Sequence, residues 1–244
     1  MIGIISAMQE EIQALLDNLH NITITEKGKR KYYSGILFNK EVVLVFSRWG
    51  KVASAATTTQ LINDFDLKEI IFTGVAGAIQ PHLNIGDVVI GKNLYQHDLN
   101  AQPFYDKFEI PILKKKYLKA KEHSQLLSST TFFLNEYFEF IDKSEAQEFN
   151  ITHPKVIHGD IASGDQFISS KEKIAYLNSE LPSTLCVEME GAAVAQVCYE
   201  YNVPFSIIRI ISDKANDNAE IDFSRFANTV ASNYALGILK NYLV

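Results

Sequence analysis

Short, almost uninterrupted apolar runs recur along this chain, and the stretches between them carry helical spacing. Ile2-Gly3-Ile4-Ile5, Glu69–Thr73 and Pro204–Ile211 lack the polar alternation of a half-exposed strand, so they read as strands buried on both faces. Val156–Ala162, Thr184–Val187 and Asp87–Ile90 read the same way, and Lys31–Leu37 and Glu41–Ser47 form a pair around the polar turn Asn39-Lys40. Between them lie helical stretches. Apolar residues recur at Met8, Ile12, Leu15, Leu16 and Leu19, and helices are expected over Gly50 to Phe65, Lys171–Ser179 and Glu190–Tyr201. The chain closes on one amphipathic helix striped by Phe226, Val230, Tyr234, Ile238 and Tyr242. His97 to Pro111 reads as a loop, and Lys114 to Asn150 as a mixed segment with one or two helices. Strands alternating with helices imply an α/β protein. At 244 residues the chain fits a single domain, 1–244, with no repeat or linker.

Several strand ends carry acid. Val187-Glu188-Met189-Glu190-Gly191 and Ile208-Arg209-Ile210-Ile211-Ser212-Asp213 each run from an apolar stretch into a carboxylate. Ligands of α/β proteins bind at the carboxyl ends of strands, and acid is costly to bury there for packing alone. Each has a plainer reading: Glu190 as first-turn electrostatics, Glu188 as a surface ion pair, Asp213 as an N-cap. A third acid, Glu11, follows the first strand. At ~100° per residue it borders the stripe of Met8 and Leu15 and faces inward at a helix N-terminus, while Glu10 faces water. Paired acids suit cleavage of a sugar bond, one protonating the leaving group and one activating water.

Other motifs say less. Gly74-Val75-Ala76-Gly77 has the wrong spacing for a dinucleotide fingerprint; it either lets the backbone approach a flat ligand or makes a tight turn. His97-Asp98 has no second histidine at ligand spacing, so a structural histidine and no metal are expected. Cys186 and Cys198 form no CxxC pair and read as buried, reduced thiols. Phe167 and Phe223 could stack on a base or simply pack. The net charge of −6 argues against nucleic acid as a partner. No run approaches the ~18 apolar residues of a membrane span, and the N-terminus lacks a signal-peptide pattern, so a cytoplasmic protein is expected.

Taken in order, Ile2-Gly3-Ile4-Ile5-Ser6-Ala7-Met8-Gln9-Glu10-Glu11, Thr73-Gly74-Val75-Ala76-Gly77, Ser163-Gly164-Asp165-Gln166-Phe167-Ile168, Val187-Glu188-Met189-Glu190-Gly191 and Ile211-Ser212-Asp213 resemble the bacterial 5′-methylthioadenosine/S-adenosylhomocysteine nucleosidases. The resemblance spans nearly the whole chain. It implies the nucleoside phosphorylase fold, a twisted mixed sheet with partial barrel character flanked by helices. It also implies hydrolysis of adenine nucleosides in methionine salvage and S-adenosylmethionine recycling, with no cofactor. Glu11 would activate water, and Asp213, oriented by Ser212, would protonate adenine N7. Met189 and Glu190 would bind the ribose, with Met8 beside them and Arg209 and Glu188 in support of ribose and water. Ile168 would read the adenine edge, Phe167 stack on it, Gly77 lie near it and Phe223 cover it. Ala101, Phe104 and Pro111 would close the alkylthio pocket of a neighbouring subunit, which implies a homodimer.

An aspartate ordinarily titrates near ~3.9, so Asp213 must be raised to act as an acid at neutral pH. Trp49 stands where an aliphatic residue is common in the family, and 114–150 is longer than in familiar members. A purine nucleoside phosphorylase on the same fold is the alternative, but it needs a cationic phosphate cradle. Where such an enzyme carries an arginine and a serine, this chain has Phe72 and Val75, which favours water as nucleophile. Among substrates, methylthioadenosine, S-adenosylhomocysteine, 5′-deoxyadenosine and the aminodeoxyfutalosine of menaquinone synthesis all remain open.

Overall fold

In a computed structural model, residues 1–122, 124–215 and 219–244 are described, apart from the side chains of 221 and 222. The apolar runs become the spine of one mixed sheet. β1 (Ile2–Ser6) lies between β4 (Lys40–Phe46) and β5 (Glu69–Ala78), parallel to both. Buried neighbours on both faces explain its near-continuous Ile/Gly composition. β10 (Phe205–Asp213) is buried along its whole length and runs parallel to β5. β6 (Val88–Gln96), β8 (Val156–Ser163) and β9 (Thr184–Glu188) continue from β10 until β9 pairs back onto β5. Five strands thus close into a ring, the barrel part of the expected fold. β3 (Arg30–Leu37) and β2 (His20–Lys27) extend the open side beyond β4, and β7 (Leu118–Lys119) pairs with β6.

Helices cover both faces. On one side α3 (Ser124–Asn135) packs on the C-terminal α8 (Ser232–Leu243), with the Phe133 and Tyr234 rings 4.9 Å apart. α2 (Lys51–Asp64) and α6 (Gly191–Glu200) pack together on the other. Cys186 and Cys198 lie buried in that second core as free thiols. Burial pushes the Cys198 thiol up to about 12, which keeps it protonated and unreactive.

Several expectations need correction. β2 was not foreseen. The expected first helix is shorter: α1 spans Gln13–Asp17, and the chain from Ala7 to Ile12 is turn. The C-terminal helix is not uniform, because α7 (Ala219–Phe226) joins α8 through a π-turn at Ala227–Ala231. A strict four-residue stripe drifts against 3.6 residues per turn, and the wider turn offsets part of that drift. All five stripe residues are buried. The 114–150 segment holds α3, a 3-10 turn at Tyr137–Glu139 and α4 (Lys143–Glu148), and α3 is part of the core.

Candidate active site

The strand register gathers the acids. Asp213 lies opposite Gly77 where β10 meets β5, after a bulge at Ser212, and Gly77 also faces Val187 on β9. A bulge re-aims side chains at a strand end. Glu188 lies opposite Ser163 across β8 and β9. Between these strand ends opens a cleft of about 580 Å³, open solvent at its mouth included. Glu11, Glu188, Glu190 and Asp213 all line it, and no lysine, arginine or histidine does so among the described residues.

Glu11 is 2% exposed. It faces inward as expected, but from the turn before α1, so the helix dipole has no part in holding it. Ser6 Oγ donates to its Oε2 at 2.6 Å, and the amides of Ala7 and Met8 donate to the same oxygen at 3.0 Å each. The Val75 amide donates to Oε1 at 3.0 Å. Oε2 is therefore saturated, and Oε1 keeps a lone pair for a proton. Burial pushes the carboxyl above the usual range, opposed by the Ser6 bond, the charge of Arg209 and the amides of Val75 and Met8. A raised carboxylate with one open oxygen has the form of a general base.

Asp213 is 2% exposed. Ser212 Oγ donates to its Oδ2 at 2.8 Å, and the Ala215 amide donates to Oδ1 at 2.7 Å. The two glycines of β5 explain themselves here. An ideal Cβ on Gly74 would stand 2.8 Å from Glu11 Oε1, and one on Gly77 2.8 Å from Asp213 Oδ1. They make room for the two acids. The tight-turn reading does not hold, because β5 continues through both to Ala78.

Glu188, on the cleft lining, forms a buried pair with Arg209, which lies behind it. Arg209 Nη2 and Nε donate to Glu188 Oε2 at 2.6 and 3.1 Å, and the guanidinium lies 4.1 Å over the Phe72 ring. Ser163 Oγ donates to Oε1, and the amides of Glu190 and Gly191 also donate to this carboxylate. With its lone pairs so occupied, Glu188 fixes the backbone that presents Glu190. Arg209 does not line the cleft; its support of a ligand is indirect.

Glu190 is the responsive acid. The Gly50 amide donates to its Oε1 at 2.7 Å. Burial, followed by the charge of Glu188, pushes it up to about 8. The folded state therefore binds a proton that the unfolded chain releases above about 4.5. Stability from this group is full below that pH and declines as pH rises towards about 8. One such group changes stability by at most ~1.4 kcal/mol per pH unit. We predict that Glu190→Gln flattens this decline in chemical denaturation of the unliganded protein between pH 5 and 8. An equal slope in both proteins would rule out Glu190 as its source.

The mouth is aromatic. Phe223 packs edge-on against Trp49 and Phe167, with ring centroids 6.0 and 5.8 Å apart. Met8, Met189, Ile168, Gly77 and Ser212 complete the expected lining. Ala7, Val75, Ala76, Gln166 and Val187 also line the cleft, beyond the expected substrate contacts; all five sit within the quoted motifs. Ala101, Phe104 and Pro111 are not among the residues lining this cleft. Phe104 and neighbouring Ile112 are 86% and 83% exposed.

Comparison with known proteins places this architecture. The family model of the phosphorylase superfamily matches residues 1–243. A 5′-methylthioadenosine/S-adenosylhomocysteine nucleosidase of Staphylococcus aureus is 39% identical over 232 residues, covering 95% of this chain and 94% of the relative. The chain belongs to this nucleosidase family, within the phosphorylase superfamily. Two solved structures agree in fold. A mutant of the Helicobacter pylori nucleosidase with 5′-methylthioadenosine in its active site matches with a TM-score of 0.84 at 32% identity, over 99% of this chain and 97% of that one. A futalosine hydrolase of Helicobacter pylori matches with a TM-score of 0.83 at 33% identity, over 99% and 96%.

Proposed function

We propose that the protein hydrolyses the N-glycosidic bond of 5′-methylthioadenosine and S-adenosylhomocysteine, releasing adenine and the 5-thioribose product. The observation that carries this reading is the cleft lining: four carboxylates and, among the described residues, no cationic side chain. A wall of carboxyl oxygens without a cation favours the cation-like sugar of a glycosidic transition state and offers a phosphate nucleophile no counter-charge. Glu11 Oε1 takes a proton from water as its oxygen bonds to C1′. The C1′–N9 bond breaks, and Asp213 supplies a proton to N7 of the departing adenine. Glu190 accepts from the ribose hydroxyls, Met8 and Met189 pack on the sugar, and Phe167 and Ile168 hold the base. Phe223 closes over them. This chemistry requires no cofactor.

Ala101, Phe104 and Pro111 serve the cleft of a second subunit, a reading supported by the exposed Phe104 and Ile112 on one segment. No helix among the described residues is long and apolar enough to cross a membrane. The alternative substrate, aminodeoxyfutalosine, draws support from the likeness to the futalosine hydrolase.

The test is adenine release from methylthioadenosine by a chromatographed dimer, with and without phosphate. Equal rates yielding free methylthioribose are expected. A phosphate-dependent rate yielding the sugar 1-phosphate would replace the hydrolase with a phosphorylase, and activity in a monomer peak would remove the second subunit. Comparing kcat/KM with S-adenosylhomocysteine, 5′-deoxyadenosine and aminodeoxyfutalosine ranks the substrates.

A further inference from the structure

Asp98, Lys51 and Asp165 take no part in the chemistry above, yet they meet at one junction beside the cleft. Lys51 Nζ donates to Asp98 Oδ1 at 2.6 Å and to Gln96 Oε1 at 3.1 Å. The Asp165 amide donates to the other oxygen of Asp98 at 2.9 Å. The Lys51 amide donates to Asp165 Oδ1 at 2.7 Å. These bonds form a closed circuit: Lys51 side chain, Asp98, Asp165 backbone, Asp165 side chain, Lys51 backbone. The Lys51 and Asp98 side chains are each only 17% exposed.

The circuit adjoins two stretches of the cleft lining. Gly50, the residue before Lys51, gives its N–H to Glu190. Phe167 and Ile168, shortly after Asp165, also line the cleft. Gly50 itself is tightly specified: its φ is +90°, and a Cβ there would stand 2.9 Å from Asp165 Oδ1. We propose that Lys51, Asp98 and Asp165 are positioning residues, a brace that holds the Gly50 donor on Glu190 in register with the Phe167–Ile168 wall and so sets nucleoside affinity.

The physical basis is local. Gly50 has no side chain with which to cap α2, so Asp165 caps the helix from 114 residues away. Two carboxylates, Asp165 and Glu190, thus face one helix N-terminus, where the macrodipole favours both. The Lys51–Asp98 pair ties that terminus to the end of β6. Charge-assisted bonds in a largely desolvated setting are stiff, and removing one partner frees the whole circuit.

The inference rests on the nucleoside reading of the cleft. Its test is steady-state cleavage of methylthioadenosine by the full-length protein, with thermal stability measured alongside. Lys51→Met and Asp98→Asn should each raise KM about tenfold while kcat stays within about threefold. The double variant should be no worse than either single one, because one circuit is lost once. Lys51→Arg, which keeps the charge, should recover most of the affinity. KM within about twofold of wild type in both single variants, or penalties that simply add, would overturn the brace. A lowered melting temperature with unchanged KM would reduce it to helix capping. Asp98→Asn is isosteric and carries the test if Lys51→Met fails to fold. If the wild-type protein leaves methylthioadenosine intact, the functional reading fails instead, and adenine affinity across the same variants decides the brace.

Discussion

Asp213→Asn is expected to lower kcat for methylthioadenosine by about 10²–10⁴, the usual worth of a positioned acid. Binding of adenine should stay within a few-fold. Asparagine can preserve the bonds to Ser212 and Ala215. Its carbonyl can accept from the Ala215 amide, and its NH₂ can donate to Ser212 Oγ, which turns from donor to acceptor. What is lost is the transferable proton. Folding should be unaffected, so the melting temperature should scarcely move. Single-turnover release of adenine is the measurement, and near-normal turnover would remove Asp213 from the role of acid.

Glu11→Gln should cost a similar factor in kcat, about 10²–10⁴, with a different companion effect. Every hydrogen bond that Glu11 receives comes from a donor: Ser6 Oγ and the amides of Ala7, Met8 and Val75. A glutamine must turn its NH₂ towards at least one of them. The least damaging choice places NH₂ against Val75 N and sacrifices Oε1, the oxygen left open for water. An unsatisfied buried donor costs about 1–3 kcal/mol. The variant should therefore lose both hydrolysis and thermal stability, unlike Asp213→Asn. Unchanged hydrolysis would refute the role of Glu11 as base.

How much of this was legible in the sequence depended on burial. Strands with neighbours on both faces, such as Ile2–Ser6 and Phe205–Asp213, announce themselves by unbroken apolar composition. β2 does not, because Ile22 and Ile24 are about half exposed and the strand buries no face. Helical phase pointed Glu11 in the right direction, although the helix begins two residues after it. The turn at Ala7–Ile12 keeps the same inward direction through different bonds. Gly74 and Gly77 could be read as a turn or a ligand approach. Their actual reason, room for two carboxylates, requires knowing which strands lie side by side. Gly50 and Lys51 gave no signal, because their partners lie far along the chain.

Those separations have a consequence for how the activity can be used. The bonds that shape the cleft join residues 64, 114 and 140 positions apart: Val75 to Glu11, Lys51 to Asp165, and Gly50 to Glu190. No contiguous fragment shorter than the stretch from Glu11 to Glu190, about three quarters of the chain, contains all six partners. Closing such distant contacts depends on the strand ring being complete. Turnover is therefore a reporter of global assembly, and adenine release can count correctly folded molecules in a preparation.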